Sequence, residues 1–141
     1  MIDPAQLNAL YQLIGWDCRN RGTEAETTEM LRGSRYCIAA YTAEGALVGF
    51  ARVCGEPYVA QVWDVLTHPA YRRCGIATQY MRGVLRHLRR SRYVSVTLTD
   101  GSGIEGFYQR FGFQVYKDVA RVWERGTEAI GTDSERGFMH S

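Results

Sequence analysis

No stretch of this sequence approaches the roughly 18 consecutive apolar residues that a membrane-spanning helix needs, and no basic segment followed by an apolar run resembles a secretory leader. Among the four cysteines, Cys18, Cys37, Cys54 and Cys74, there is no Cys-x-x-Cys pair, and no histidine stands at a spacing suited to zinc. A structural metal is therefore not expected. Together these absences predict a cytoplasmic protein with free thiols. The sequence also lacks an internal repeat and a large net charge: +2 is weak for a nucleic-acid protein, so nucleic acid is not the expected partner.

What is present reads as an ordinary globular chain. At 141 residues it is long enough to bury a single core, and 45% hydrophobic with 23% charged residues excludes a disordered or fibrous class. Arg72, Arg73, Arg82, Arg86, Arg89, Arg90 and Arg92 crowd one stretch, which calls for an anionic neighbour or plain water. One domain is expected over 1–125. Residues 126–141, small or charged and without periodicity, are expected to be a mobile tail.

Hydrophobic spacing sets the element order. Leu7, Leu10, Tyr11 and Ile14 recur at helical intervals behind Pro4, predicting a helix over 4–16. A second helix starts after Gly22, with Thr23 as cap and Glu24 and Glu26 at the positive end of its dipole, and runs to about residue 32. Residues 36–42, 46–54 and 58–67 are rich in Val, Ile, Tyr and Phe and are separated by short turns, which predicts an antiparallel meander. Over 75–88, Ile76, Tyr80, Val84, Leu85 and Leu88 share a helical face opposite Arg82, Arg86 and Arg89. Alternation predicts a strand over 93–99, a short helix spans 104–111 before Gly112, and 113–116 and 119–123 read as strands. The expected class is α/β (α+β), in the order ααβββαβαββ.

The chemistry concentrates between Trp63 and Thr78, where a strand ends, a loop turns and a helix begins. Backbone N–H groups at a helix start lack intrahelical partners, so a phosphate there gains several hydrogen bonds and the favourable end of the macrodipole. Gly75 and Ala77 leave room for close approach, while Arg72 and Arg73 add positive charge. Further on, Gly101-Ser102-Gly103-Ile104-Glu105-Gly106 spells Gly-x-Gly-x-x-Gly. A lone match of that kind is a weak signal, and a dinucleotide fold would need a full helix and another parallel strand where this helix soon meets Gly112.

Arg72-x-x-Gly75-x-Ala77 resembles the [Gln/Arg]-x-x-Gly-x-[Gly/Ala] signature with which GNAT-superfamily acetyltransferases hold the pyrophosphate of coenzyme A, and Pro69 and Tyr71 before it are typical of that family. Gly106-Phe107-Tyr108-Gln109-Arg110-Phe111-Gly112-Phe113 is similar to the family's Phe-Tyr-x-x-x-Gly-Phe segment. The resemblance spans about 36–124. It implies a GNAT fold, a mixed, mostly antiparallel splayed sheet flanked by helices, and transfer of an acetyl group from acetyl-CoA to a primary amine by direct attack on the thioester. It further implies that Val65, Leu66 and Thr67 line the pantetheine arm, that the backbone of Arg72, Arg73, Cys74, Gly75, Ile76, Ala77 and Thr78 holds the pyrophosphate, and that Tyr108 is the general acid for the leaving thiolate. Trp63-Asp64-Val65-Leu66 is especially similar to small bacterial and plastid members that resemble serotonin or arylalkylamine N-acetyltransferases.

Two departures stand out: the family's usual first strand is not evident ahead of the helices, and Ser102 stands where a cofactor-binding Asn is common. Asp64 is either a satisfied polar group on a strand or the base that takes the ammonium proton, directly or through water. His68, His87 and His140 do not look catalytic, and the cysteines read as small apolar fillers. The expected partner is a small-molecule amine, with no membrane; homodimerisation is left open. The alternative function is a non-catalytic acyl-CoA-sensing or nucleic-acid-binding module.

Overall fold

The computed structural model describes residues 1–15, 22–99 and 106–115. The chain divides into two units, Met1–Thr99 and Asp100–Ser141. The first opens with α1 (Pro4–Ile14), in which Pro4 occupies the first turn, where a missing N–H costs nothing. Asp3 caps it by accepting the Ala5 N–H at 2.9 Å. α2 (Glu24–Gly33) carries a reciprocal capping box: the Thr23 side chain accepts the Glu26 N–H, and the Glu26 carboxylate accepts the Thr23 N–H.

β1 (Tyr36–Tyr41), β2 (Leu47–Gly55) and β3 (Val59–Thr67) form the antiparallel meander, and β4 (Ser95–Leu98) joins parallel to β3 after the crossover helix α3 (Ile76–Arg90). The sheet order is β1-β2-β3-β4. This is the mixed α/β class expected from the sequence.

Neighbouring residues on a strand point to opposite faces, and β2 shows which helix covers which. Gly49 lies beneath Ile76 and Tyr80 of α3, whereas Phe50 is buried with Leu7, Leu10 and Tyr11 of α1 and with Leu47 and Leu66. Helices therefore cover both faces. Full burial of side chains such as Phe50, Leu7 and Leu66 contributes about 1.5–3 kcal/mol apiece.

One irregularity sets the rest. Opposite the β2 step from Phe50 to Arg52, β3 advances from Leu66 back to Trp63, so β3 holds one extra residue. Asp64 sits in this bulge with φ 55°, in the left-handed region that L-residues other than Asn and Asp seldom enter. Pairing of β3 with β4 stops just before it, at Val62↔Leu98.

In the second unit the structure departs from the expected helix over 104–111. A turn leads into a single 3₁₀ turn, Gln109–Phe111, closed by Gly112 at φ 95°. Gly106 is also left-handed, at φ 76°, so the two glycines leave too few residues between them to repay the cost of nucleating an α-helix. Residues 113–115 are irregular rather than strand. The expected strand over 119–123, the tail over 126–141 and the Gly-x-Gly segment lie outside the described residues.

Candidate functional site

The loop Arg72–Gly75 delivers the chain from β3 into α3 through two left-handed residues, Arg73 at φ 65° and Gly75 at φ 80°. α1 and α2 are capped by side chains, but α3 begins at Gly75 with no side-chain cap and no acidic residue in its first turn. Its first intrahelical bond of this kind is Gln79 N–H to Gly75 C=O at 3.1 Å. Among the described residues other than its chain neighbours, a Cβ built on Gly75 would meet nothing within 4 Å, so no described side chain crowds the loop at this point. An open helix start flanked by two arginines fits an anionic phosphate group.

Val65, Leu66 and Thr67 follow the bulge at the end of β3, and a short 3₁₀ turn, Pro69–Tyr71, links them to the loop. His68 Nδ1 caps that turn by accepting the Ala70 N–H at 3.0 Å. Thr67 is tied to α3, its Oγ1 lying 2.9 Å from the Tyr80 hydroxyl. Burial pushes the Tyr80 phenol above its ordinary range, against the opposing effect of the Thr67 bond. The strand end and the helix start are thus joined one turn into α3.

Asp64 is buried on the α1 face of the sheet. Its Oδ2 accepts the Tyr11 hydroxyl at 2.6 Å and the Arg52 Nε–H at 2.7 Å. Burial works against the Arg52 charge, but the Asp64 carboxylate outweighs it, and the guanidinium is held above its ordinary value. Arg52 Nη1 also donates to Cys54 Sγ at 2.8 Å. Trp63 remains half exposed beside this network, with its Nε1–H donated to Gln61 Oε1 at 2.8 Å.

Cys37 is partly buried, and that burial raises its thiol above the ordinary value, in keeping with a filler rather than a nucleophile. His87 stacks on Tyr36 with ring centroids 4.6 Å apart and shares a 2.9 Å hydrogen bond with the Tyr93 hydroxyl. It ties the end of α3 to β1 and to the approach to β4.

The first unit therefore contains Asp64, the strand end 65–67 and the loop and helix start 72–78. Tyr108 belongs to the second unit, where it is buried edge-on against Phe107 and Phe113, at 4.9 and 6.1 Å between centroids. Ser102 lies outside the described residues. Sequence reasoning missed Arg52 and Tyr11. A lone charge inside the apolar strand Leu47–Gly55 was the available signal, because a buried guanidinium requires a carboxylate.

The chain matches the Acetyltransferase (GNAT) family over residues 7–113. It is 32% identical over 68 residues to the uncharacterized N-acetyltransferase ycf52 of Porphyra purpurea, covering 48% of this chain and 39% of that protein. The chain thus spans about two-fifths of that relative's length. Among solved structures, a probable acetyltransferase from meticillin-resistant Staphylococcus aureus superposes with a TM-score of 0.73 at 19% identity, covering 88% of this chain and 93% of that one. An aminoglycoside 6′-N-acetyltransferase complexed with coenzyme A superposes with a TM-score of 0.57 at 19% identity, covering 77% and 66%.

Proposed function

The chain belongs to the GNAT acetyltransferase family, and from that premise we propose that it transfers an acetyl group from acetyl-CoA to a small primary amine by direct attack of the amine on the thioester. The observation that carries this reading is the open, uncapped start of α3 behind Arg72, Arg73 and the left-handed Gly75. In this reading the loop and first turn, 72–78, hold the pyrophosphate, Val65–Thr67 run beside the pantetheine arm, and Ser102 adds a polar contact. The coenzyme A held by the structurally similar aminoglycoside acetyltransferase supports the donor.

The acetyl donor supplies an activated carbonyl; the chain's own residues manage the protons. An amine that is mostly protonated at neutral pH must lose a proton before it attacks, and the expelled thiolate must gain one. Asp64 accepts the first, directly or through water, and Tyr108 donates the second, a task matched to a phenol whose pKa of about 10 is close to that of the thiolate. As its nitrogen bonds to the carbonyl carbon, the carbon–sulfur bond breaks and free thiol leaves. Trp63, half exposed beside Asp64, favours an acceptor with an aromatic or apolar body.

Calorimetry with acetyl-CoA tests the donor, and absence of binding at millimolar concentration removes the proposal. A thiol-release assay against arylalkylamines, polyamines, amino acids, aminoglycosides and protein amino termini tests the acceptor. Turnover confined to peptides or proteins overturns the small-molecule reading. Tyr108→Phe and Asp64→Asn are each expected to lower kcat by about 10²–10⁴. Because Asp64→Asn leaves the partly buried Arg52 charge without its carboxylate, kcat is compared with that of Arg52→Met/Asp64→Asn, in which no such charge remains.

A further inference from the structure

The bulge in β3 is a strained conformation with an explicit holder. Asp64 is one of two non-glycine residues with positive φ among the described residues, the other being Arg73 in the phosphate loop. A left-handed conformation is unfavourable for an L-residue, least so for Asn and Asp, and persists only where its surroundings fix it. Here one carboxylate oxygen is fixed from two directions: by the Tyr11 hydroxyl from α1, 53 positions earlier, and by the Arg52 guanidinium from β2, 12 positions earlier. Tyr11 is fully buried. Arg52 is itself steadied by Cys54 Sγ and by Ser34 Oγ at 3.4 Å, the latter bonded to Met30 C=O in α2. Both opening helices thus reach the bulge through side chains.

The position of the bulge gives this arrangement its consequence. It falls two residues after the last pair between β3 and β4, Val62↔Leu98, and immediately before Val65–Thr67. Which way the backbone of 65–67 turns, and hence which N–H and C=O groups it offers on the β4 side, depends on the conformation at 64. We infer that Tyr11 and Arg52 are positioning residues: by gripping the Asp64 carboxylate they hold residue 64 left-handed and so set the strand segment along which the acyl donor lies. The inference rests on the proposed donor site but not on Asp64 acting as a base.

Glycine adopts positive φ without penalty, whereas alanine does not. Asp64→Gly and Asp64→Ala both remove the carboxylate and both leave Arg52 without it, so their difference isolates the backbone. Asp64→Ala is expected to weaken acetyl-CoA binding by about fivefold to thirtyfold, and Asp64→Gly by less than about threefold. If Asp64 is also the base, kcat falls in both. Tyr11→Phe, which deletes a single oxygen, is expected to weaken acetyl-CoA binding about threefold to tenfold in the presence of Asp64, with no effect in the Asp64→Gly background. Arg52→Met should likewise weaken binding in the presence of Asp64, but should not weaken it in the Asp64→Gly background, where it removes a charge that has already lost its carboxylate.

Equal affinities for the Ala and Gly variants, or an effect of Tyr11→Phe that is the same in both backgrounds, overturn the assignment. Amide hydrogen exchange at 65–67 supplies a readout without ligand: it should quicken in Tyr11→Phe but not when Tyr11→Phe is added to Asp64→Gly. If the unsubstituted protein binds no acetyl-CoA, the proposed function falls, and exchange alone decides whether the grip exists.

Discussion

Replacing Gly75 by alanine separates conformation from contact at the phosphate loop. Among the described residues other than its chain neighbours, no heavy atom lies within 4 Å of the position its Cβ would take, so the expected cost is that of holding an L-residue at φ 80°. That cost is about 1–2 kcal/mol, which lowers the folding constant roughly fivefold to thirtyfold and the melting temperature by about 3–10 °C in a domain of this size. The loop has one escape, relaxation to negative φ, which recovers stability but turns the start of α3 away from the pyrophosphate. Stability and acetyl-CoA affinity should therefore share the loss, and together they should account for at least about 1 kcal/mol. Thermal unfolding followed by circular dichroism, with and without acetyl-CoA, measures one part, and calorimetry measures the other. A Gly75→Ala protein that melts within about 1 °C of the unsubstituted chain and binds acetyl-CoA equally well would refute the reasoning.

Gly49→Ala attacks the same region from below. Its Cβ would lie 3.0 Å from Tyr80 Cε2 and 3.1 Å from Ile76 Cγ2, so the first turns of α3 must lift, with an expected loss of about 1–3 kcal/mol and weaker acetyl-CoA binding, read by melting and calorimetry. Burial raises the Tyr80 phenol, so the stability linked to it is present below the ordinary value of 10.0 and is lost as pH rises through the higher folded value; in an alkaline absorbance titration, Tyr80→Phe should remove amplitude from the late-ionising part of the curve. His87 moves the other way: burial, then the Arg35 charge, lowers its pKa, so its contribution is present above the ordinary 6.5 and is lost as pH falls from there through the lower folded value. Melting temperature should drop between about pH 7.5 and pH 5, and His87→Gln should lose part of that dependence.

What the sequence revealed was mostly local. Thr23 as cap, with Glu24 and Glu26 beside it, could be read without knowing the fold, although the reciprocal bond from Glu26 was not foreseen, and Gly75 shortly after two arginines marks a helix start for the same reason. The faces of α3 followed from spacing alone. What escaped was set by tertiary pairing. Asp64 looked equally suited to being a base or a satisfied polar group because its partners, Arg52 and Tyr11, reach it only once a hairpin and a helix have docked. The bulge was equally hidden, since one extra residue in β3 shifts which side chains share a face while the alternation on either side looks regular. The short 3₁₀ turn at 109–111 was read as part of a longer helix, a reading with which the i, i+4 spacing of Phe107 and Phe111 agrees, while the two left-handed glycines that bracket it act through backbone conformation.

The unequal capping of the three helices has a thermodynamic consequence. α1 and α2 each carry a side-chain acceptor for a first-turn N–H, in Asp3 and Thr23. Among the described residues α3 has no such side-chain acceptor, and on the proposed reading an anion bound there would add RT ln(1 + [L]/Kd) to the stability of the folded state, about 2.7 kcal/mol at a hundred times its dissociation constant. The stability of this one turn would then vary with solute activity as well as with sequence. If the donor's pyrophosphate binds there, phosphate and sulfate in an assay buffer are its rivals, and a stability measured in them is that of a partly liganded protein.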